Sequence, residues 1–478
     1  MRVRVRIAPS PTGLIHVGNV RSALFNWLFA RHHRGTFIVR IDDTDVERSL
    51  REYEVDILEG FRWLGLDWDE GVEVGGPHGS YRQSDRFARY QDVAHDLVDR
   101  GLAYYDDRTP ELLEELRTRA QAEKRHPNFY IRRPSEPNRA GAIRFSVPQD
   151  LPIEFEDVVR DAMRFEPETV DDFVILRSDG LPTYHLASTV DDVEYEISHV
   201  IRGEDLLPST PKHILLSRAL GGTPPVYAHL PLLFGPDGKK LSKRHGDTSL
   251  AAYRRGGYLP EAMLNFMSLL GWSLDSERTI FTRDEAIAAF DLDRVSKNPA
   301  IFDPEKLAWL NGEYIRALAP ADFIERVLPQ VEAGLGRRLD ESESAQLSAI
   351  APLVQERTKL LTEAPELVAW LFSEHLEYDP ESWTMVMVEG SADVLADAAA
   401  RLEQIDGWDS ESIEAALRSM LVDLAINARK GLQPLRVAVT GSSVSPPLFE
   451  SMAVLGRERS IDRLRSAFER LGAPSHPR

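Results

Sequence analysis

A chain of 478 residues is too long for one ordinary core, and its 42% apolar and 8% aromatic content is that of a folded globular protein, so about two to four domains are expected. The absence of cysteine excludes disulfides, thiolate catalysis and cysteine-based zinc sites. No apolar run approaches the ~20 residues of a membrane span, and the N-terminus Met1-Arg-Val-Arg-Val-Arg has no apolar signal-peptide core, so a cytoplasmic protein without a membrane partner is expected. The net charge of −20 argues against general nucleic-acid affinity, yet residues 1–41 hold no acid and carry Arg2, Arg4, Arg6, Arg21, Arg31, Arg34 and Arg40, so an anionic ligand stays open.

Val3, Val5 and Ile7 alternate with Arg2, Arg4 and Arg6, the period of a strand, which Pro9 and Pro11 end because neither can donate to a ladder. From Gly18, apolar residues recur at Val20, Ala23, Leu24, Trp27 and Leu28 with helical spacing. Gly35 is expected to stop this helix, and 36-TFIVRI-41 reads as a second strand. Strand, turn, helix, strand is a parallel βαβ unit. A mixed region from about Asp106 to Pro182 holds a charged helix over 110–125 and short strands at 142–147 and 173–178. A second group follows, with strands at 195–201 and 228–234 around a helix at 211–221. From about Pro260 the chain is mostly helical, with patterns over 261–271, 347–361, 412–428 and 459–472 and a loop at 440–447. The expected fold class is α/β: a Rossmann-like parallel sheet split by an α+β insertion domain, followed by a mostly α-helical C-terminal half.

Two stretches carry chemistry. In 6-RIAPSPTGLIHVGN-19, the chain enters a helix whose first N–H groups and positive dipole end favour an anion. Gly13 and Gly18 let a nucleotide lie close, His16 can donate to a phosphate oxygen, and Asn19 adds a polar tip; the alternative is a tight βα turn with a surface histidine. In 235-GPDGKKLSKRHGD-247, glycines make a mobile turn, and Lys240, Lys243 and Arg244 are spaced to neutralise charge on a triphosphate attacked at its α-phosphorus. A solvated basic loop is the alternative there.

His16-Val-Gly-Asn19 and Lys240-Leu-Ser-Lys-Arg244 resemble the two signature motifs of class I aminoacyl-tRNA synthetases. The longer stretches 6-RIAPSPTGLIHVGNVRSALFNWLFARHHRGTFIVRIDDTD-45, 81-YRQSDR-86, 183-TYHLASTVDD-192, 201-IRGEDLLPSTPKH-213 and 434-PLRVAVTGSSVSPPLFE-450 look like bacterial glutamyl-tRNA synthetases, and the similarity runs over essentially the whole chain. The resemblance implies glutamate, ATP (with Mg2+ as the substrate complex) and tRNA(Glu) as partners. It implies ligation in two steps through a glutamyl-adenylate, by a monomer. It further implies a Rossmann catalytic domain in two halves, 1–105 and 183–245. An acceptor-stem-binding insertion would occupy 106–182, a stem-contact region 246–319 and an all-helical anticodon-binding region 320–478.

Residue by residue, His16 and Lys243 match the family's catalytic positions, and His16, Gly18, Asn19, Asp205, Leu233, Lys240, Lys243 and Arg244 its ATP site. Arg6, Ala8, Ser10, Asp42, Tyr184 and Arg202 match its glutamate pocket. An arginine fork can grip a carboxylate with two parallel hydrogen bonds, and glutamate has two carboxylates. Arg357 falls where discriminating members read the third anticodon base. Asp42 stands where the family has Glu, one methylene shorter, and Asn19 replaces the second histidine of the general motif. Many members hold zinc in the insertion through cysteines. This chain has none, so no zinc or other resident metal is expected, and His32, His33, His126 and His185 read as ordinary surface or core histidines. Alternatives are an enzyme glutamylating a modified tRNA base, which would lack the region beyond Ala319, and a non-catalytic tRNA-binding paralogue; a glutaminyl-tRNA synthetase would carry a β-barrel anticodon part instead of helices.

Overall fold

The computed structural model describes residues 2–125, 130 and 140–472, except for the side chains of Pro110, Glu168 and Lys243. The chain forms two compact units, one of Met1–Arg255 with Pro260–Leu307, the other of Gly256–Leu259 with Ala308–Arg478.

In the first unit, β1 (Arg4–Ile7) pairs in parallel with β2 (Thr36–Val39), from Arg4 opposite Thr36 to Ile7 opposite Val39, and β2 pairs with β3 (Glu70–Gly71). Parallel neighbours need a crossover, and α1 (Val17–His32) supplies it. This helix is buried almost all round, from Val17 through Phe25 and Trp27 to Ala30, so it reads as a core element rather than a surface one. It ends at His32, with Arg34 in the left-handed region (φ 51). Gly35 helps to stop the helix, its N–H closing the end on Ala30 O at 2.8 Å, though the left-handed residue there is Arg34. A Cβ there would stand 2.5 Å from the Val3 carbonyl oxygen, so glycine lets the chain pass close beside β1.

β4 (Ala103–Asp106), β5 (Ala142–Phe145) and β8 (Phe173–Leu176) form an antiparallel sheet in the order β4-β5-β8. β6 (Ile153–Asp157) and β7 (Asp161–Phe165) make a hairpin that joins β9 (His199–Gly203) and β10 (Val226–Leu230) in the order β7-β6-β10-β9. The β6 contact is one residue pair, Asp157 opposite Tyr227. Arg4 and Ser198 exchange hydrogen bonds (Ser198 N to Arg4 O, 2.9 Å; Arg4 N to Ser198 Oγ, 2.8 Å), which sets β1 beside the entry to β9.

Two expected strands differ. Tyr195 caps the helix Tyr184–Glu194 and Glu196 turns left-handed (φ 55), so the strand there begins only at His199. The run 228–234 splits at Pro231 into β10 and β11 (Leu233–Phe234), and β11 pairs with β12 (Ala300–Ile301).

The second unit is helical. Phe323, Val327 and Val331 bury one stripe of the helix Pro320–Leu335. A capping box of Asp340 and Glu343 starts the next helix at Glu341, earlier than its apolar pattern announces, and it ends at Gln355. The pattern over 412–428 resolves into a helix Ser410–Asp423 and the first residue of another, Ala428–Thr440, capped by Asn427. Among the described residues no helix is long and apolar enough to cross a membrane.

Candidate active site

A cavity of about 570 Å³ opens at the C-terminal ends of β1 and β9, with the N-terminus of α1 in its wall. This is where open α/β sheets place ligands. Arg6, Ala8, Ser10, His16, Gly18, Asn19, Asp42, Tyr184, Arg202, Asp205, Leu233 and Lys240 all line it. Arg244 does not. It is exposed and lies 4.0 Å from Asp237. The Lys243 side chain, like His126, lies outside the described residues.

His16 is the N-cap of α1, and its Nδ1 accepts from the Gly18 N–H at 3.0 Å. Burial, then the charge of Lys240, lowers its pKa. The ring is therefore neutral near pH 7, with its one proton on Nε2, on a side chain that lines the cavity. The helix amides themselves are spoken for. Val17 N donates to Thr248 O (3.1 Å), Gly18 N to His16, and Asn19 N to His16 O (2.9 Å). The reading of bare helix N–H groups as the anion cradle is thus corrected. At the start of α1, the donors left for an anion are side chains. Thr248 reaches this position because Leu250 N donates to Ile15 O and His16 bridges Ser249. The basic turn closes on itself, with Gly235 N to Lys239 O and Leu241 N to Leu233 O, and His245 packs on Gly235, where a Cβ would stand 2.6 Å from its ring.

Arg6 is buried, not a surface strand arginine. Its Nε and Nη2 hold both oxygens of Asp192 at 3.1 and 3.0 Å. Arg40, fully buried, grips Asp42 with Nε at 2.7 Å and Nη2 at 3.2 Å, and reaches Asp192 with Nη1 at 2.8 Å. Burial pushes the Asp42 carboxyl up against the pull of Arg40. Burial would raise Asp192 too, but Arg6 and Arg40 together hold it below the usual range. Asp191 lies behind, bound by Arg86 (2.9 Å), Gln83 (3.0 Å) and Tyr90 (2.8 Å).

Arg202 is only 5% exposed, and among the described residues no carboxylate lies within ion-pair distance of it. Its partners are neutral. Nε donates to His229 Nε2 (3.1 Å), Nη1 to the Tyr184 hydroxyl (3.1 Å), and Nη2 to Thr210 Oγ1 (2.9 Å) and Leu206 O (3.2 Å). Since the Tyr184 oxygen accepts from Arg202, its own proton is free to point at a ligand. A buried cation without a counter-charge is costly unless an anion joins it, so this half of the cavity suits a carboxylate.

Sequence reasoning missed Arg21, Ser188 and Thr12, which also line the cavity. Arg21 is buried in α1 and donates to the carbonyls of Pro231 and Leu270, and burial lowers it to about 10. An arginine on an otherwise apolar helix face was its only signal. At the other end of α1, His32, His33 and Asp291 place their ligand atoms within 4.8 Å of one another, so two of the histidines read as ordinary surface or core residues stand together. His185 bonds His213 (3.2 Å) within the protein interior. In the second unit, Arg357 sits on an exposed turn after the helix Glu341–Gln355. Burial, then the charge of Arg357, lowers the pKa of Arg436.

Residues 2–309 match the family model "tRNA synthetases class I (E and Q), catalytic domain", and residues 322–468 match "Anticodon binding domain". The chain is 47% identical over 477 residues to a glutamate–tRNA ligase of Dehalococcoides mccartyi, covering 98% of each chain. It is 43% identical over 478 residues to that of Carboxydothermus hydrogenoformans, covering 98% of this chain and 100% of the relative. A crystal structure of a glutamate tRNA ligase from Elizabethkingia meningosepticum in complex with its amino acid superposes with a TM-score of 0.86 at 33% identity, over 98% of this chain and 100% of that one.

Proposed function

The chain belongs to the class I tRNA synthetases of the glutamate and glutamine type, and from that premise we propose that it ligates L-glutamate to tRNA(Glu) in translation. The α-carboxylate of glutamate attacks the α-phosphorus of MgATP and releases pyrophosphate. The terminal ribose hydroxyl of the tRNA then takes the glutamyl group from the adenylate. The observation that carries this reading is the buried, carboxylate-free Arg202 in a cavity shared with His16 and Lys240.

Arg202 and the free edge of Arg6 take the carboxylates of glutamate, with the Tyr184 hydroxyl donating beside them. Ala8 and Ser10 shape the pocket, and Asp42, held by Arg40, takes the ammonium. His16 Nε2–H and Lys240 donate to the phosphates, aided by Lys243, and Gly18, Asn19, Asp205 and Leu233 complete the ATP site. Arg244 joins them only after the turn gives up its Asp237 contact.

We assign 1–105 and 183–245 to the two halves of a Rossmann-like catalytic domain, 106–182 to an acceptor-stem-binding insertion without zinc, 246–319 to stem contact and 320–478 to the anticodon, with Arg357 reading its third base. The enzyme works as a cytoplasmic monomer. The anticodon-domain match over 322–468 disfavours an enzyme that modifies a tRNA base with a catalytic part alone. Pyrophosphate exchange with glutamate, with and without tRNA, tests the proposal. Exchange that needs tRNA and glutamate supports it; exchange that ignores tRNA or prefers glutamine counts against it.

A further inference from the structure

Behind Arg202 runs a buried chain of hydrogen bonds that the ligation chemistry above does not use. His229 on β10 is fully buried, and Asp157, the last residue of β6, is 2% exposed. Asp157 Oδ1 is saturated by three backbone amides: Val159 N (3.0 Å), Arg160 N (2.9 Å) and His229 N (3.2 Å). That leaves Oδ2 as the acceptor for His229 Nδ1, at 2.5 Å. An ionised carboxylate can only accept, so Nδ1 carries the proton of the neutral ring and donates it in a hydrogen bond to Oδ2, and Nε2 carries none. Nε2 must indeed be bare, because two donors converge on it: Arg202 Nε at 3.1 Å, and Thr210 Oγ1 at 3.1 Å, whose oxygen already accepts from Arg202 Nη2.

We propose that Asp157 and His229 are positioning residues that orient Arg202 for the substrate carboxylate: Asp157 fixes the histidine tautomer, and the bare Nε2 anchors one edge of the guanidinium. The inference rests on the reading of this cavity as a glutamate site. Thr210 and Leu206 hold the second edge through Nη2, so the third, Nη1, is presented beside Tyr184. The anchor reaches the pocket from a hairpin remote in sequence, since Asp157 meets the sheet through its single pairing with Tyr227. Burial, with Arg202 and Arg160 nearby, keeps the ring neutral although Asp157 pulls the other way. The Tyr227 ring stacks against it at 5.9 Å and brings no charge near neutral pH.

The arrangement makes a specific forecast for Asp157→Asn. The three backbone amides keep the remaining oxygen, so the new amide turns its N–H toward Nδ1. The histidine must then move its proton to Nε2, where it opposes the Arg202 Nε–H. Nitrogen-15 spectra of histidine-labelled full-length protein should place the His229 proton on Nδ1 in the wild type and on Nε2 in Asp157→Asn. Pyrophosphate exchange with tRNA(Glu) should show the glutamate KM of Asp157→Asn raised roughly ten- to a hundred-fold, the cost of one hydrogen bond to a charged group, with the ATP KM changed less than about threefold. His229→Gln, which keeps an acceptor toward Arg202, should recover most of the glutamate affinity lost in His229→Ala. A wild-type proton on Nε2 would overturn the relay. So would a glutamate KM unchanged in Asp157→Asn, or a Gln variant no better than Ala. A wild type with the expected tautomer but no exchange activity supports the relay and overturns the ligase reading instead.

Discussion

At and behind the cavity, arginines sit in two opposite surroundings. On one side Arg6, Arg40 and Arg86 interleave with Asp42, Asp191 and Asp192, three cations against three anions. On the other, Arg202 is ringed by His229, Thr210, Tyr184 and a backbone carbonyl, all neutral. A balanced buried network needs no ligand to be stable, whereas a lone buried cation is complete only when an anion arrives. The first side is scaffold that the substrate leans on; the second is the part that waits for it.

Removing one partner from each side should therefore separate stability from binding. Asp192→Ala strips a counter-charge from both Arg6 and Arg40 and should cost about 3–5 kcal/mol of unfolding free energy in urea titrations. A loss under about 1 kcal/mol would erase the contrast. Arg202→Ala removes the uncompensated cation, so it should cost less folding stability than Asp192→Ala, while kcat/KM for glutamate falls by about 2–5 kcal/mol. If the urea midpoint drops as far as for Asp192→Ala, Arg202 is scaffold as well.

His16→Ala probes the cavity wall at the start of α1. It deletes the Nε2–H donor and also the acceptor for Gly18 N, which the bulk solvent at a helix start can replace. The exchange rate should fall roughly a hundred-fold, about 2.7 kcal/mol, with glutamate KM little changed. A rise in glutamate KM with unchanged kcat would move His16 from the phosphates to the amino acid.

Which residues line the cavity was legible in the chain, on both sides of this contrast; how their charges pair was not. Alternation of Arg6 with Val5 and Ile7, and the glycine-proline turn before α1, announce a cation and a cradle at the end of a strand. Lys240 and Leu233 come to the same cavity from a motif far along the sequence. What sequence could not state is who neutralises whom. Asp191 and Asp192 stand in the quoted stretch 183–192, but only folding sets Asp192 against Arg6 and Arg40. Thr248 takes the Val17 amide through a contact made across more than two hundred residues, so the helix start looked open when it is closed. The strand expected at 195–201 starts four residues late, at His199, for a local reason: Glu196 adopts a positive φ that ends a helix, and no residue type there demands it.

The smallest effect should be the response to acid, and its sign differs between the two sides. His185 bonds His213 at 3.2 Å, and His213 Nδ1 lies 3.4 Å from Arg202 Nη1, with Lys212, Tyr184 and the edge of Phe173 around them. Burial, then the nearby cations, lowers His185 to about 4 and His213 well below its ordinary value. Groups lowered on folding contribute stability that is present above about pH 6.5 and lost as pH falls through the folded value. Asp191 is raised to about 6, chiefly by burial, so its contribution is present below its ordinary value and lost as pH rises through about 6. The two terms oppose each other as the solution is acidified, but two histidines act against one carboxylate, so the unfolding free energy should fall modestly between about pH 7 and pH 5. The glutamate KM has no such offset, because only the histidine side touches Arg202. It should stay flat from about pH 7.5 to 5.5, where both histidines are still neutral in the folded protein, and rise only as pH nears about 4. Asp191→Asn removes the opposing term and should steepen the acid-side loss of stability while leaving the KM profile in place. A KM rise near pH 4 that disappears in that variant would mean that the balanced side, not the histidines, governs the pocket.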